Sequence, residues 1–270
     1  MSNVLNIARK EFGDFLRSRF ILIITFIFLV TFLVSFHPVS QPILLSSLQD
    51  ALCDILLTFG GAIALLMGYL AISNERRNNA LSTMITKPLF RDTIINGKLL
   101  GAVAFLIFFF MFISAVYTLV MILSIGYAVN AILYAYLASI PLIIILSILC
   151  VMVYYSYSLL VSIYIKNETL ALFVSVLIWL ILTMEISTWD VAMYIAVFFG
   201  QSSFLPLLSA ITKLCPKNLI ASSILFYNDN YNAGLWNSVL ANSNDVFVLI
   251  VYMIILVVAS YIAFLRSDIS

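Results

Sequence analysis

Six long apolar runs constrain the fold of this chain more than any other feature of its sequence. A bilayer hydrocarbon core about 30 Å thick needs a helix of about 20 apolar residues to cross it. Lipid offers no partners to backbone amides, so each such run must be helical. The sequence therefore predicts one all-α integral membrane domain (1–270) with six transmembrane helices, at 20–36, 51–72, 99–124, 137–165, 170–185 and 246–265.

The composition agrees with a membrane protein. The chain is 64% hydrophobic and 9% charged, and its mean hydropathy is +1.16. Soluble globular domains are typically about 45–50% apolar and about 25% charged. The net charge of +1 provides no basic field for a nucleic acid, so no nucleic-acid partner is expected.

Lysine and arginine are unequally distributed between the two sides of these spans. If the N-terminus lies inside, eleven of the thirteen basic residues are cytoplasmic, and two, Lys213 and Lys217, lie outside. Basic residues are retained on the cytoplasmic side during insertion. The sequence therefore predicts a multi-pass protein of the cell (plasma) membrane with both termini in the cytoplasm.

Residues 3–19 have the periodicity of an amphipathic helix. Val4, Ala8, Phe12, Phe15 and Leu16 form one apolar stripe. Such a helix is typical of a segment that lies in the membrane interface with its apolar side towards lipid. The alternative is an unstructured basic tail that only fixes the orientation.

The last outer connection, 186–245, is unusually long. It contains an apolar piece at 191–199, which is too short to span a bilayer, and a possible short helix at 207–214. We expect an outer loop with short re-entrant or interfacial helices. A seventh and an eighth span in this region are the alternative.

Three acidic residues lie near the predicted outer boundary of the spans: Asp50, Asp54 and Glu185. Charges at membrane depth are costly and often mark a substrate path. The three acids could therefore form an outer mouth for a polar or cationic substrate. Asp50 and Asp54 could instead simply favour a solvated helix start by their negative charge.

The sequence offers little to catalysis. No phosphate-binding GxxxxGK[ST] loop occurs, the only histidine is His37, and the three cysteines form no CxxC pair. No catalytic, metal or cofactor-binding residues are predicted, and an enzyme of the intramembrane hydrolase type is disfavoured.

The segment 73–98 is the longest polar interruption in the first two-thirds of the chain. It holds five basic residues: Arg76, Arg77, Lys87, Arg91 and Lys98. Leu81, Met84 and Ile85 are spaced as one apolar helix face outside the bilayer, and Pro88 ends or kinks that helix. From the residues alone, this face could dock in a groove of a partner protein or lie in lipid.

This segment resembles the cytoplasmic coupling segment of type-2 ABC exporter permeases. The positions that match the family pattern are Glu75, Leu81, Met84, Ile85, Pro88, Arg91, Gly97 and Lys98. Asn79 and Ala80 stand where the family usually has Gly and Thr. The run NIARKEF at 6–12 resembles the family's connecting helix, and the span plan also agrees, so the resemblance covers the whole chain. Within the family the chain looks most similar to the permease of the nitrous-oxide-reductase maturation transporters.

The resemblance implies a permease subunit of an ABC exporter. Its partners would be a second permease, identical or similar, membrane lipid, and separate ATP-binding subunits that hold ATP and magnesium. The matched residues from Glu75 to Lys98 would contact the ATPase and pass its motion to the spans. Arg91 and Lys98 would sit where headgroups or carboxylates hold the start of the third span. The rival interpretation is a membrane anchor or sensor that holds a soluble partner and transports nothing.

Overall fold

The computed structural model describes residues 2–35, 45–77, 91–125, 130–183, 215–217, 219–220 and 235–266. All regular secondary structure in these ranges is helical. The helices are α1 (Ser2–Arg17), α2 (Arg19–Ser35), α3 (Leu45–Arg77), α4 (Arg91–Ile125), α5 (Asn130–Tyr164), α6 (Glu168–Thr183), α7 (Leu235–Ala241) and α8 (Ser243–Arg266). The part of the chain that the structure describes is therefore all-α, as predicted.

Four helices in the described part of the chain are long and apolar enough to cross a membrane: α3, α4, α5 and α8. The predicted spans 20–36 and 170–185 correspond to α2 and α6, which are apolar but shorter. The count of six spans thus stays a prediction. In the last outer connection, α7 is a described short helix, whereas the pieces predicted at 191–199 and 207–214 lie outside the described residues.

The helices extend beyond the apolar runs that predicted them. α5 begins at Asn130, although the sequence placed the start of that span at 137 and assigned Asn130 to a connection. α4 begins at Arg91, so the eight residues from Arg91 to Lys98 form about two helical turns. Hydropathy marks where a helix meets lipid, whereas the helix itself continues into the interface.

The pair α3 and α5 forms the centre of the bundle. The Ser158 hydroxyl donates a hydrogen bond of 2.6 Å to the carbonyl of Leu65 on α3. Ser162 makes the same kind of bond, 3.2 Å long, to Tyr69. A Cβ atom at Gly68 would collide with the backbone of α5, so the two helices touch backbone to backbone.

Other helices pack around this pair. The hydroxyl of Ser260 on α8 donates to the carbonyl of Ser156 on α5 at 3.1 Å. On the side of α2, the Phe28 ring meets Phe59 of α3 edge-on, with the centroids 4.8 Å apart. Serine hydroxyls and aromatic rings therefore join apolar helices that could otherwise slide past one another in lipid.

The apolar stripe of α1 faces the protein. Ala8 and Phe15 are buried, and the Phe12 and Phe15 rings both contact Phe105 of α4 with centroids 5.9 and 5.7 Å apart. The expectation that the stripe lies against lipid is therefore wrong for Ala8 and Phe15, because α4 offers them a closer apolar surface. Leu16 is 42% exposed and is left on the outer side of the helix.

Candidate functional site

The segment 78–90, which contains most of the predicted ATPase contacts, lies outside the described residues. Its two ends are described, because α3 ends at Arg77 and α4 begins at Arg91. The candidate site is therefore the place where these two helices meet each other and α1. We call it the Lys98 junction, formed by Glu11, Ala71 and Lys98.

Lys98 holds three helices together at this junction. Its Nζ atom lies 2.8 Å from Glu11 Oε1 on α1 and donates a hydrogen bond of 2.7 Å to the Ala71 carbonyl on α3. The Lys98 side chain is 1% exposed and that of Glu11 is 7% exposed. Burying a charge is tolerable only with a counter-charge and hydrogen bonds, and this pair has both.

Two glycines on α4 let α1 come close enough for this pair to form. A Cβ atom at Gly101 would lie 2.9 Å from the Ala8 carbonyl and 2.9 Å from Glu11 Cβ. At Gly97 it would press on the side chain of Ile7. Since Gly97 and Gly101 are four residues apart, they make one shallow depression along the helix, and Lys98 emerges beside it.

Arg76 connects the end of α3 to the turn between α5 and α6. Its guanidinium donates to the carbonyls of Ser162 (3.4 Å), Ile165 (3.2 Å) and Lys166 (3.3 Å). The last carbonyls of a helix have no partners within it, and a basic side chain satisfies them well. Asn167 then starts α6 by accepting from two backbone amides. The last turn of α3 is thus attached to this second short connection.

The sequence placed Lys98 among the ATPase contacts. In the structure its amine is buried within the chain, where it pairs with the Glu11 carboxylate. Leu81, Met84, Ile85 and Pro88 fall outside the described residues, and the side chains of Glu75 and Arg91 are not described. Their predicted contact with an ATPase stays a prediction.

Two side chains at this end of the bundle, one in the Lys98 junction and one beside it, have contacts that the sequence did not predict. Glu11 follows Ala8 by three residues and precedes Phe15 by four, so it belongs to the buried stripe of α1. An acidic residue on an apolar face indicates a buried basic partner, and that signal could have identified it. Arg76 was counted as one of the basic residues of the segment, but nothing local pointed to the end of α5, 86 to 90 residues away.

At the opposite end of the bundle, one acidic residue of the predicted outer mouth is paired with a lysine. Lys217, from the last outer connection, lies 3.2 Å from Asp54, whose side chain is 61% exposed. Asp50 is half-buried, and Glu185 lies outside the described residues. Nearby in sequence, burial raises the pKa of the Cys215 thiol. Among the described residues, no cluster of His, Cys, Asp or Glu could hold a metal ion.

Comparison with known proteins agrees with this arrangement of apolar helices. The family model described as "ABC-2 family transporter protein" matches residues 5–269. A relative from Stutzerimonas stutzeri, described as "Probable ABC transporter permease protein NosY", is 34% identical over 114 residues. That stretch covers 37% of this chain and 39% of the relative, so it spans well under half of either. The family match, in contrast, extends over nearly the whole chain. The chain therefore belongs to the ABC-2 family of transporter proteins.

Proposed function

We propose that this permease exports a substrate, driven by separate ATP-binding subunits that dock on the segment 78–90. The chain has no phosphate-binding loop of its own, so ATP and magnesium belong to those subunits. The apolar face of Leu81, Met84 and Ile85 supplies a surface of the kind that enters a partner's groove. A second permease, identical or similar, completes the transporter, and both termini lie in the cytoplasm.

The Lys98 junction is the observation that carries this proposal. The docking segment leaves α3 and enters α4, and Lys98 bonds these helices to each other and to α1. A push on the segment is therefore delivered to three helices together. Arg76 passes the same displacement to the turn between α5 and α6. Transmission by such rigid contacts is a common way to link a binding event to a distant movement.

In this mechanism, ATP binding draws the two ATPase subunits together and displaces the docking segments. α3 and α4 tilt with α1, and α5 follows α3 because the backbones touch at Gly68. At the outer end, the pair between Asp54 and Lys217 joins α3 to the last outer connection. A tilt of α3 would move that connection and open the way outward.

The test is to co-express the chain with its ATP-binding subunit and to introduce Leu81→Asp and Met84→Asp together. We expect the ATPase to stop co-purifying, because two charges in an apolar contact must be desolvated. Leu5→Asp is the control, since Leu5 is an exposed apolar residue of α1, 59% accessible and outside the docking segment. Intact co-purification and intact transport in the double variant would show that docking does not use this face.

The same co-expressed complex distinguishes a transporter from a membrane anchor that transports nothing. In nanodiscs, a transporter should change the ATP hydrolysis rate of its bound ATPase, and the rate should return to that of the free ATPase with the Asp variants. If the ATPase binds the native chain but hydrolyses ATP at the same rate with and without it, the anchor interpretation is favoured.

A further inference from the structure

A small cavity lies where α3, α5 and α6 meet. Its walls include Leu65 of α3, Tyr154 and Ser158 of α5, and Ser175 and Trp179 of α6. We call it the Ser175 cavity. All of these residues belong to apolar stretches of their helices, so a polar group in this cavity is far from the polar ends of the bundle.

The position of the Trp179 ring beside this cavity depends on a glycine of α3. A Cβ atom at Gly61 would lie 2.8 Å from Trp179 Nε1 and 3.2 Å from the Tyr154 ring. The two aromatic side chains therefore come together over Gly61, where α3 has no side chain of its own. The cavity lies next to this contact, and α6 contributes Ser175 to it one helical turn before Trp179.

The hydroxyl of Ser175 has no hydrogen-bond partner within the described part of the chain, although the residue is only 2% exposed. Other buried serines bond to a carbonyl of their own helix three or four residues earlier. Ser114, Ser139 and Ser156 do so at 3.0, 2.6 and 2.9 Å. Leaving a buried hydroxyl unsatisfied is costly. The Ser175 hydroxyl therefore indicates a polar ligand in the cavity that it lines.

Ser158 provides a second polar atom in the same cavity. Its hydroxyl donates its hydrogen to the Leu65 carbonyl at 2.6 Å, and the oxygen of a hydroxyl can still accept a hydrogen bond. Ser175, in contrast, has its hydrogen available to donate. A ligand that both accepts and donates would match these two serines, and a water molecule does both.

The size of the cavity also favours a water molecule. The space open to the centre of a water is about 10 Å³, equivalent to a sphere about 2.7 Å across, which is sufficient for one water. Two hydrogen-bonded waters have their oxygens about 2.8 Å apart, so a second water would have to lie at the very edge of this space. A ligand of several heavy atoms needs more room than this.

We propose that the Ser175 cavity is a binding site for one ordered water molecule, which accepts a hydrogen bond from the Ser175 hydroxyl and donates one to the Ser158 oxygen. This inference does not depend on the proposed export function. Because Ser158 is itself bonded to Leu65, the water joins α6 to α5 and, through Ser158, to α3. Hydrogen bonds of this kind contribute to the association of helices in lipid, where apolar contacts alone are weakly specific.

The test is hydroxyl-radical footprinting of the full chain in nanodiscs, since radicals formed from a bound water oxidise the side chains beside it. Tyr154 and Tyr155 form a matched pair, because they are 2% and 0% exposed and only Tyr154 lines the cavity. We expect mass spectrometry to find Tyr154 oxidised several-fold more than Tyr155. After rapid mixing with oxygen-18 water, the heavy isotope should appear at Tyr154 later than at Tyr164, which is 73% exposed.

Two variants test the role of the serine. Ser175→Val removes the hydroxyl and fills the space, so oxidation of Tyr154 should fall to the level of Tyr155. Thr169→Val, at an exposed position of α6 outside the cavity, is the control and should leave the oxidation of Tyr154 unchanged. If the Ser175→Val chain does not accumulate, Ser175→Ala removes the same hydroxyl without adding volume and should also lower the oxidation of Tyr154.

Three results would overturn the proposal. Equal oxidation of Tyr154 and Tyr155 in the native chain would mean that the cavity is dry. Heavy isotope appearing at Tyr154 as fast as at Tyr164 would mean that the cavity is open to bulk water and holds no ordered molecule. Undiminished oxidation of Tyr154 in the Ser175 variants would mean that this hydroxyl does not bind the water.

Discussion

Glu11→Gln is expected to destabilise the folded chain by about 3–5 kcal/mol, the usual cost of removing one partner of a buried ion pair. The substitution keeps the shape of the side chain but leaves the Lys98 ammonium, 1% exposed, without its counter-charge at 2.8 Å. The Ala71 carbonyl, 2.7 Å from the same amine, satisfies one hydrogen of that group but carries no net charge. The loss of stability in Glu11→Gln therefore measures the electrostatic contribution of the ion pair in the Lys98 junction.

Two double variants separate charge from geometry. Glu11→Met with Lys98→Met should return most of the stability, to within about 1.5 kcal/mol of the native chain, because well-packed apolar residues can replace a buried pair. The reversed pair, Glu11→Lys with Lys98→Glu, should remain at least about 1.5 kcal/mol less stable, since a carboxylate at 98 meets the Ala71 carbonyl and neither group can donate. A simple charge attraction would predict full rescue by reversal, so the two variants test the three-helix geometry directly.

The assay is thermal unfolding of the purified chain in one detergent. At about 2–4 °C per kcal/mol, a loss of 3 kcal/mol should lower the melting temperature by roughly 6–12 °C. Asp14→Asn and Lys10→Met are matched controls, because both residues are exposed on α1, and each should stay within about 0.5 kcal/mol of the native chain. The reasoning is refuted if Glu11→Gln melts like these controls, or if the double methionine variant is no more stable than Lys98→Met alone.

Three further predictions test other parts of the bundle. Gly68→Ala should destabilise the chain by about 1–3 kcal/mol, because the new methyl group meets the backbone of α5. Gly13→Ala is the control and should be neutral or slightly stabilising, since a Cβ atom there has nothing within 4 Å. Thermal unfolding measures both variants, and equal melting temperatures would contradict the close approach of α3 and α5 at Gly68. Arg76→Ala should speed amide hydrogen exchange in the turn 165–167, because the carbonyls of Ile165 and Lys166 lose the guanidinium that donates to them. Arg9→Ala is the control and should leave that exchange unchanged, since Arg9 is exposed on α1. Unaltered exchange in both variants would show that the turn does not depend on Arg76. Cys215 should react with a membrane-impermeant maleimide added outside cells, and labelling only from the inside would reverse the predicted topology. Because burial raises the pKa of the Cys215 thiol, its thiolate fraction at a given pH is smaller than that of a free thiol. The labelling reaction should therefore accelerate at a higher pH than for a free thiol.

The sequence predicted the membrane helices well because their signal is local. The apolar runs at 51–72, 99–124 and 246–265 lie within described helices, and the run at 137–165 does so except for its last residue. Helix ends were less accurate, since a helix does not stop where the lipid does. α4, for example, begins eight residues before the predicted span and carries Arg91 in its first turn. The apolar face of α1 was also visible in the sequence, but whether lipid or α4 covers it depends on tertiary packing.

The Lys98 junction could not be predicted, because its bonds join residues far apart in the chain. Lys98 and Glu11 are 87 positions apart, and Lys98 and Ala71 are 27 apart. The sequence showed a basic residue at the start of a span, where a headgroup, an external partner or an internal carboxylate would each be suitable. In the structure the partner is an internal carboxylate, that of Glu11. The only local evidence for it in the sequence is that Glu11 interrupts the apolar stripe of α1.

A buried ion pair also limits which movements this end of the bundle can make. Apolar side chains can slide along one another at little cost, and the edge-on rings of Phe12 and Phe105 would tolerate such a shift. A slip of one helical turn, about 5.4 Å, would instead separate the Lys98 amine from the Glu11 carboxylate and from the Ala71 carbonyl, and breaking a buried ion pair is costly. We therefore expect α1, α3 and α4 to move as one unit at the Lys98 junction. A change of shape that opens a path for substrate must then arise away from it, where the contacts are apolar and carry no such penalty.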